Sequence, residues 1–313
     1  WTIDGRVYAF PWRPNTWMMY YNREIFDAAG INTDDIQTWD DWINAGIQIK
    51  NATNGESFLE YRNGGSYGST AGELVPQAGG RYIDDDFNVV IDTDPATLEV
   101  FAYLERMYKE GLIFQTTDWD PGWYQSFRDG KIAALHFGNW FDEFLKQNLP
   151  DMSGKWGLMQ MPAFSNGVHK AGMESVPFVL LNTSDAPYIE LIKEMLEWQY
   201  LDPQRVIDYL HIMTDRQLPA FLPVLTSAYD DAFMQAGDPY YGGQSFQAAA
   251  AESAIGAPSI LDPTLDGANE VTTVIDTELS RVYAGEIDMQ TALQNMHVGI
   301  ERVLPDVLDA RES

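Results

Sequence analysis

Apolar and polar positions along this chain switch between two periods. Short apolar runs at residues 7–10, 18–21, 132–137 and 176–181, bounded by turn-forming residues, predict strands. Elsewhere the apolar positions fall three and four apart. Asp94 followed by Pro95 predicts a capped helix start, Leu98, Phe101, Leu104 and Tyr108 mark its buried face, and Gly111 closes it. Ser184 or Asp185 with Pro187 opens a second helix whose Ile189, Ile192 and Leu196 form one apolar stripe. Thr38 caps a third, and Asp288 caps a fourth that runs through Ala292, Met296 and Ile300. Strands alternating with helices predict an α/β protein. Residues 63–72, 118–122 and 237–244 read as loops, and no internal repeat or flexible linker interrupts the pattern. If there are two lobes, the chain must cross between them inside ordered strands.

Composition narrows the function. At 313 residues the chain can build a large core, and length favours two domains. No apolar run approaches the length of a membrane-spanning helix, and the N-terminus lacks the layout of a signal peptide. A formal charge of −28, from 19 basic against 47 acidic residues, argues against nucleic acid, whose backbone demands concentrated positive charge. The same excess produces self-repulsion, so salt should stabilise the fold. Cysteine is absent, which removes disulfides, thiol catalysis and cysteine-based metal centres together. His136, His169, His211 and His297 are too scattered to form a metal motif. No phosphate-binding or dinucleotide fingerprint is present, so no cofactor is expected.

Two patterns imitate catalytic motifs. Gly64-Gly65-Ser66-Tyr67-Gly68 matches the nucleophile elbow, but polar residues precede it and residues 69–76 lack a sustained helical pattern, which favours a loop. Asp118 with Asp120, and Asp84-Asp85-Asp86, are acid pairs of the kind a glycosidase needs. In so acidic a chain such neighbours arise by chance and read as solvated turns.

Several aromatics fall in the loop-like segments: Trp12, Trp17, Trp119, Trp123, Trp140, Tyr240 and Tyr241. A sugar ring packs its C–H face on an aromatic ring while its hydroxyls require polar partners at the edge. Buried aromatics are ordinarily core, so position alone leaves both readings open.

Order along the chain adds a resemblance. The run from Asp4 to Trp12, then Tyr20-Tyr21-Asn22-Arg23-Glu24-Ile25-Phe26, then Thr38-Trp39-Asp40-Asp41-Trp42, resembles the extracellular solute-binding proteins, family 1, that serve carbohydrate ABC importers. Further matches follow in sequence: Phe127 to Leu135 with Gly138-Asn139-Trp140, Lys170 to Pro177, Arg216-Gln217-Leu218-Pro219, Asp238 to Gln244, and Tyr283 to Glu286. In such proteins the first of these motifs lies well inside the chain; here it begins at residue 1, which gives the expectation of a lost front section.

The resemblance implies a type II periplasmic-binding-protein fold, two lobes with hinge crossovers, the first lobe incomplete. Residues 1–12 and 179–236 would belong to the first lobe, and 13–178 and 237–313 to the second. Helices around Ile189 and Tyr209 would then expose the face meant for an absent sheet. It also implies ligand contacts at Trp12, Asn15, Trp17, Trp119, Trp123, Trp140, Gly172, Met173, Glu174 and Arg216. Asn15 stands where the family usually has Asp, Trp17 where it has Arg, and Met173 where it has a second Gly, which leaves the ligand's identity open. The expected function is noncatalytic capture of a sugar or oligosaccharide for a membrane permease. The protein would be a periplasmic or extracellular monomer, lipid-anchored through its front section, with that section or another chain completing the first lobe. The rivals are a glycoside-active hydrolase or lyase using the same aromatic cleft, and a noncatalytic adhesion module.

Overall fold

A computed structural model describes residues 2–3, 5–63, 67–172, 174–179, 186–216, 221–258 and 269–312. The strands are β1 (Thr2–Ile3), β2 (Arg6–Val7), β3 (Phe10–Asn15), β4 (Trp17–Asn22), β5 (Glu60–Arg62), β6 (Ile113–Gln115), β7 (Ala134–Gly138), β8 (Trp156–Met159) and β9 (Glu174–Phe178). Helices fill most of the intervening chain, so the α/β character read from the pattern holds.

The central strand is β4, hydrogen-bonded on one side to β7 and on the other to β8, both antiparallel. Its unbroken apolar sequence follows from burial on both faces. Met18 and Tyr20 enter one hydrophobic cluster, with helices Pro121–Arg128, Phe141–Asn148, Pro203–Asp215 and Phe246–Ala254. Met19 and Tyr21 enter another, with helices Trp39–Ala52, Tyr67–Ala78, Pro95–Lys109 and Asn269–Tyr283. The strand alternation of side chains thus ties two cores to one sheet.

β3 and β9 form a separate antiparallel ribbon beside this sheet. Its register slips between Pro11 and Arg13, so Trp12 is the extra residue of a bulge. β5 and β6 pair in parallel.

The expected helix caps are present. Asp94 accepts from the Thr97 N–H at 2.8 Å and Pro95 occupies the first turn. Thr38 and Asp41 form a reciprocal capping box, and Asp288 accepts from the Thr291 N–H at 2.8 Å. The helix expected from Ser184 or Asp185 is described from Ala186 to Tyr200; the capping residues themselves lie outside the described residues. Leu196 is buried, whereas Tyr188, Leu191, Met195 and Trp198 are exposed along a second face of this helix.

The loop expectations hold only in part. Part of the stretch at 63–72 is not a loop, because a helix runs from Tyr67 to Ala78. Ala71, Leu74, Val75 and Ala78 are all buried at helical spacing. The glycine- and serine-rich start, with Pro76 in the last turn, hid that period. The loop at 237–244 also holds one turn of 3-10 helix, Pro239–Tyr241. Among the described residues, no helix is long and apolar enough to cross a membrane.

Candidate ligand-binding cleft

Trp17, Trp119 and Trp140 wall a cavity of ≈ 330 Å³. Each indole is placed by a local backbone device. Trp17 opens β4 opposite Gly138, the last residue of β7, and its amide donates to the Ala171 carbonyl at 3.1 Å. Gly172 follows with φ +68°, and a Cβ there would overlap the Trp17 ring. Trp140 lies just past β7, where a Cβ on Gly138 would overlap its indole nitrogen. Only glycine at 138 lets the ring turn back over the strand end. Trp119 takes φ +64°, unusual for a bulky residue, and its ring lies nearly parallel to Trp140 at 5.8 Å between centroids. It remains 43% exposed.

Arg62, Glu73 and His136 line the same cavity above a buried ionic network. Glu60 is fully buried; it accepts from the Arg62 guanidinium at 2.7 Å and from the Trp42 indole N–H at 2.5 Å. His136 lies between two acids, with Nδ1 3.3 Å from Glu60 Oε2 and Nε2 3.2 Å from Glu73 Oε2. Burial pushes the imidazole's pKa down, but the two carboxylates outweigh it and raise it, so His136 is held protonated. Burial pushes the Glu60 carboxyl up, but Arg62 and His136 more than reverse this and keep it ionised. Asp118 at the rim accepts from the Asn63 amide at 2.7 Å, and burial raises its pKa. Aromatic walls thus meet a rim and floor of donors and acceptors, the pairing a sugar requires.

Trp12, at the bulge of β3, lines a second cavity of ≈ 170 Å³ that shares Trp140 with the first. Asn15 is buried at the end of β3, opposite Glu174, and lines neither cavity. Arg216 is the exposed cap of helix Pro203–Asp215, also outside both. Met173 and the side chain of Glu174 lie outside the described residues. Trp123 requires a correction: it is fully buried, packed between Tyr61 and Phe127 beneath Trp119. It sits in the first turn of helix Pro121–Arg128 and turns to the helix's core side, which loop position could not reveal. Tyr240 and Tyr241 are also core; their hydroxyls donate to backbone carbonyls of Leu145 and Leu149 and to Asp142.

Of the elbow-like motif, Tyr67 and Gly68 begin the helix Tyr67–Ala78, and Gly64, Gly65 and Ser66 lie outside the described residues. Both nitrogens of His136 face carboxylates, which leaves neither available as a general base. Two acids, Glu73 and Asp118, line the first cavity, and Glu73 is committed to the His136 ion pair. Sequence reasoning missed Arg62, Glu73 and His136. The one available signal was Glu60-Tyr61-Arg62, where residues two apart on a strand share a face.

The family model for bacterial extracellular solute-binding proteins matches residues 1–205. The chain belongs to this family. This solute-binding protein is 29% identical over 203 residues to an arabinooligosaccharide-binding protein of Halalkalibacterium halodurans, covering 62% of this chain and 44% of the relative. It is 25% identical over 201 residues to the arabinooligosaccharide-binding protein of Bacillus subtilis, with the same coverage of 62% and 44%. It thus spans less than half the length of these curated relatives. Among solved structures it is similar to the sugar-binding protein MalE of Xanthomonas citri, with TM-score 0.77 and 16% identity over 99% of this chain and 74% of that one. An ABC transporter-associated binding protein of B. animalis subsp. lactis Bl-04, solved with β-1,6-galactobiose, gives TM-score 0.73 and 23% identity over 97% and 75%. The fold is therefore the type II periplasmic-binding-protein fold, and the family is one of binding proteins rather than enzymes.

Proposed function

We propose that this chain is the substrate-binding component of an ABC importer and captures a carbohydrate without altering it. The observation that carries this is the cavity in which Trp17, Trp119 and Trp140 stand over the charged floor of Arg62, Glu73 and His136. The relatives named for arabino-oligosaccharides and the neighbour solved with galactobiose support the same ligand class. In this reading residues 1–12 and 179–236 make up one lobe and residues 13–178 and 237–313 the other, and the antiparallel pairing of β3 with β9 supports their role as the crossing. Ligand held by one lobe gains contacts from the other and shifts the population toward a closed state, which a membrane permease reads. The working unit is a monomer on the outer side of the membrane.

Thermal-shift screening against a panel of mono- and oligosaccharides, followed by chromatography of the bound sugar, tests this. The expectation is stabilisation by one sugar class and recovery of that sugar intact. Release of hydrolysed product would contradict it.

A further inference from the structure

His136 lies where the aromatic wall of the first cavity meets its charged floor. It stands in β7 opposite Met19 of β4, with the Trp17 ring 6.0 Å away between centroids and the Trp39 ring edge-on at 6.3 Å. None of these neighbours carries a charge. The ionisable groups that face it come from two other elements: Glu60, with Arg62 bound to it, from β5, and Glu73 from the helix Tyr67–Ala78. Behind them Tyr103, from the helix Pro95–Lys109, interacts with Glu60 and Arg62, and Tyr283 interacts with Arg62. Nε2 of His136 is hydrogen-bonded to Glu73 Oε2 at 3.2 Å and Nδ1 lies 3.3 Å from Glu60 Oε2, so the ring spans the two acids. The acids differ in access. The Glu60 side chain is 1% exposed, whereas that of Glu73 is 12% exposed and lines the cavity beside Ser69 and Thr70 of the same helix.

We infer that His136 is a positioning residue for ligand capture: its two N–H groups clamp Glu73 to Glu60, which fixes the Glu73 carboxylate on the cavity wall as the acceptor for a ligand hydroxyl. This rests on the carbohydrate reading above and adds a proton to it. With the imidazole protonated, the two acids are balanced by His136 and Arg62. Loss of that proton leaves a net negative charge in a buried cluster and takes away the donor that holds Glu73. Burial opposes the charge on His136, but the two acids outweigh it and raise its pKa to about 9. Burial drives the Tyr61 phenol further above its ordinary value, and in Arg62 the effect of burial is outweighed by Glu60, which drives it up as well. Among the described bases and phenols lining the cavity, His136 is therefore the one that loses its proton near 9, and affinity should fall as pH rises through that value.

Calorimetric titration of arabinotriose and of maltotriose into the wild type, His136→Gln, Glu73→Gln and the double variant, from about pH 7 to about pH 10 with the fold followed by circular dichroism, tests this. In the wild type, affinity for the sugar that binds falls about tenfold across the range, in proportion to the protonated fraction. Near pH 9 binding takes up roughly half a proton, read as a dependence of the binding heat on the ionisation heat of the buffer. His136→Gln binds roughly tenfold more weakly than the wild type at the neutral end and shows no alkaline fall. Adding it to Glu73→Gln weakens binding by no more than about twofold further, because both act through one carboxylate. Fully additive losses in the double variant overturn the inference. So do a wild-type affinity and binding heat indifferent to pH and buffer, whether or not His136→Gln folds, and either result leaves the carbohydrate reading standing. Binding of neither saccharide at any pH overturns the carbohydrate reading and the inference with it.

Discussion

Gly172 and Trp17 compete for the same space: a Cβ at position 172 would overlap Cδ1 of the indole, and the glycine's φ of +68° lies in the left-handed region. The turn before β9 therefore fixes the angle of one wall of the cleft. Gly172→Ala is expected to displace the ring and to destabilise the fold by about 1–3 kcal/mol through overpacking and backbone strain. Sugar affinity should fall with it. Gly285 provides the control, since its φ is +72° and nothing lies within 4 Å of a Cβ placed there. Gly285→Ala should shift the denaturation midpoint and leave affinity unchanged, as measured by calorimetry beside chemical denaturation.

Trp119 and Trp123 lie four residues apart with opposite burdens. Trp119 is 43% exposed and Trp123 is sealed in the core. Trp119→Ala should weaken sugar binding and cost less stability than Trp123→Ala, because its ring is only partly buried. Trp123→Ala should cost about 3–5 kcal/mol of stability through the cavity it leaves. Paired thermal melts and titrations of the two variants check this.

Glu60 is fully buried and paired with both Arg62 and His136, so its loss should be costly. Glu60→Gln keeps the shape but leaves the Arg62 guanidinium and the protonated His136 without their shared counter-charge. A destabilisation of about 3–5 kcal/mol is expected, the usual cost of breaking a buried pair from one side. Urea denaturation of the variant measures it.

The same network sets a pH window. Glu60 is held at about 2 against an ordinary 4.5, so its contribution is complete above pH 4.5 and is lost as pH falls toward 2. His136 is raised to about 9 from 6.5, so its contribution is complete below pH 6.5 and is lost as pH rises through 9. From these two groups stability should peak between 4.5 and 6.5 and decline on both sides. In His136→Gln the denaturation midpoint should be lower below pH 6.5 and converge with the wild type as pH rises through 9, so its decline between pH 6.5 and 9 should flatten.

The exposed face of the helix Ala186–Tyr200 makes the contrasting case. Leu191 and Met195 already face solvent, so Leu191→Lys and Met195→Lys should each change stability by no more than about 0.5 kcal/mol. Denaturation curves superimposable on the wild type are the expected result.

What the sequence revealed and what it hid follow from range. Asp94-Pro95, Thr38 with Asp41, and Asp288 act within one helical turn, so their caps could be read directly. Trp140 could be placed beside the cleft because the glycine that frees its ring is two positions away. The charged floor could not be seen this way: His136 meets Glu60 and Glu73 across 76 and 63 positions, a convergence made by β5, β7 and the helix Tyr67–Ala78 together. Trp123 misled for a different reason. Its neighbours Asp118 and Asp120 have the polarity of a loop, yet Asp120 caps a helix by accepting from the Trp123 amide at 2.7 Å, and that turn carries the indole inward.

Trp140 is the wall common to both cavities, and the carbohydrate reading depends on it more than on any other side chain. Calorimetric titration of wild type and Trp140→Ala with the same saccharide is the most direct test. The account predicts one sugar chain bound per wild-type molecule and a loss of at least about thirtyfold in affinity in the variant, with the fold retained by circular dichroism. Equal affinity in the two proteins would contradict it.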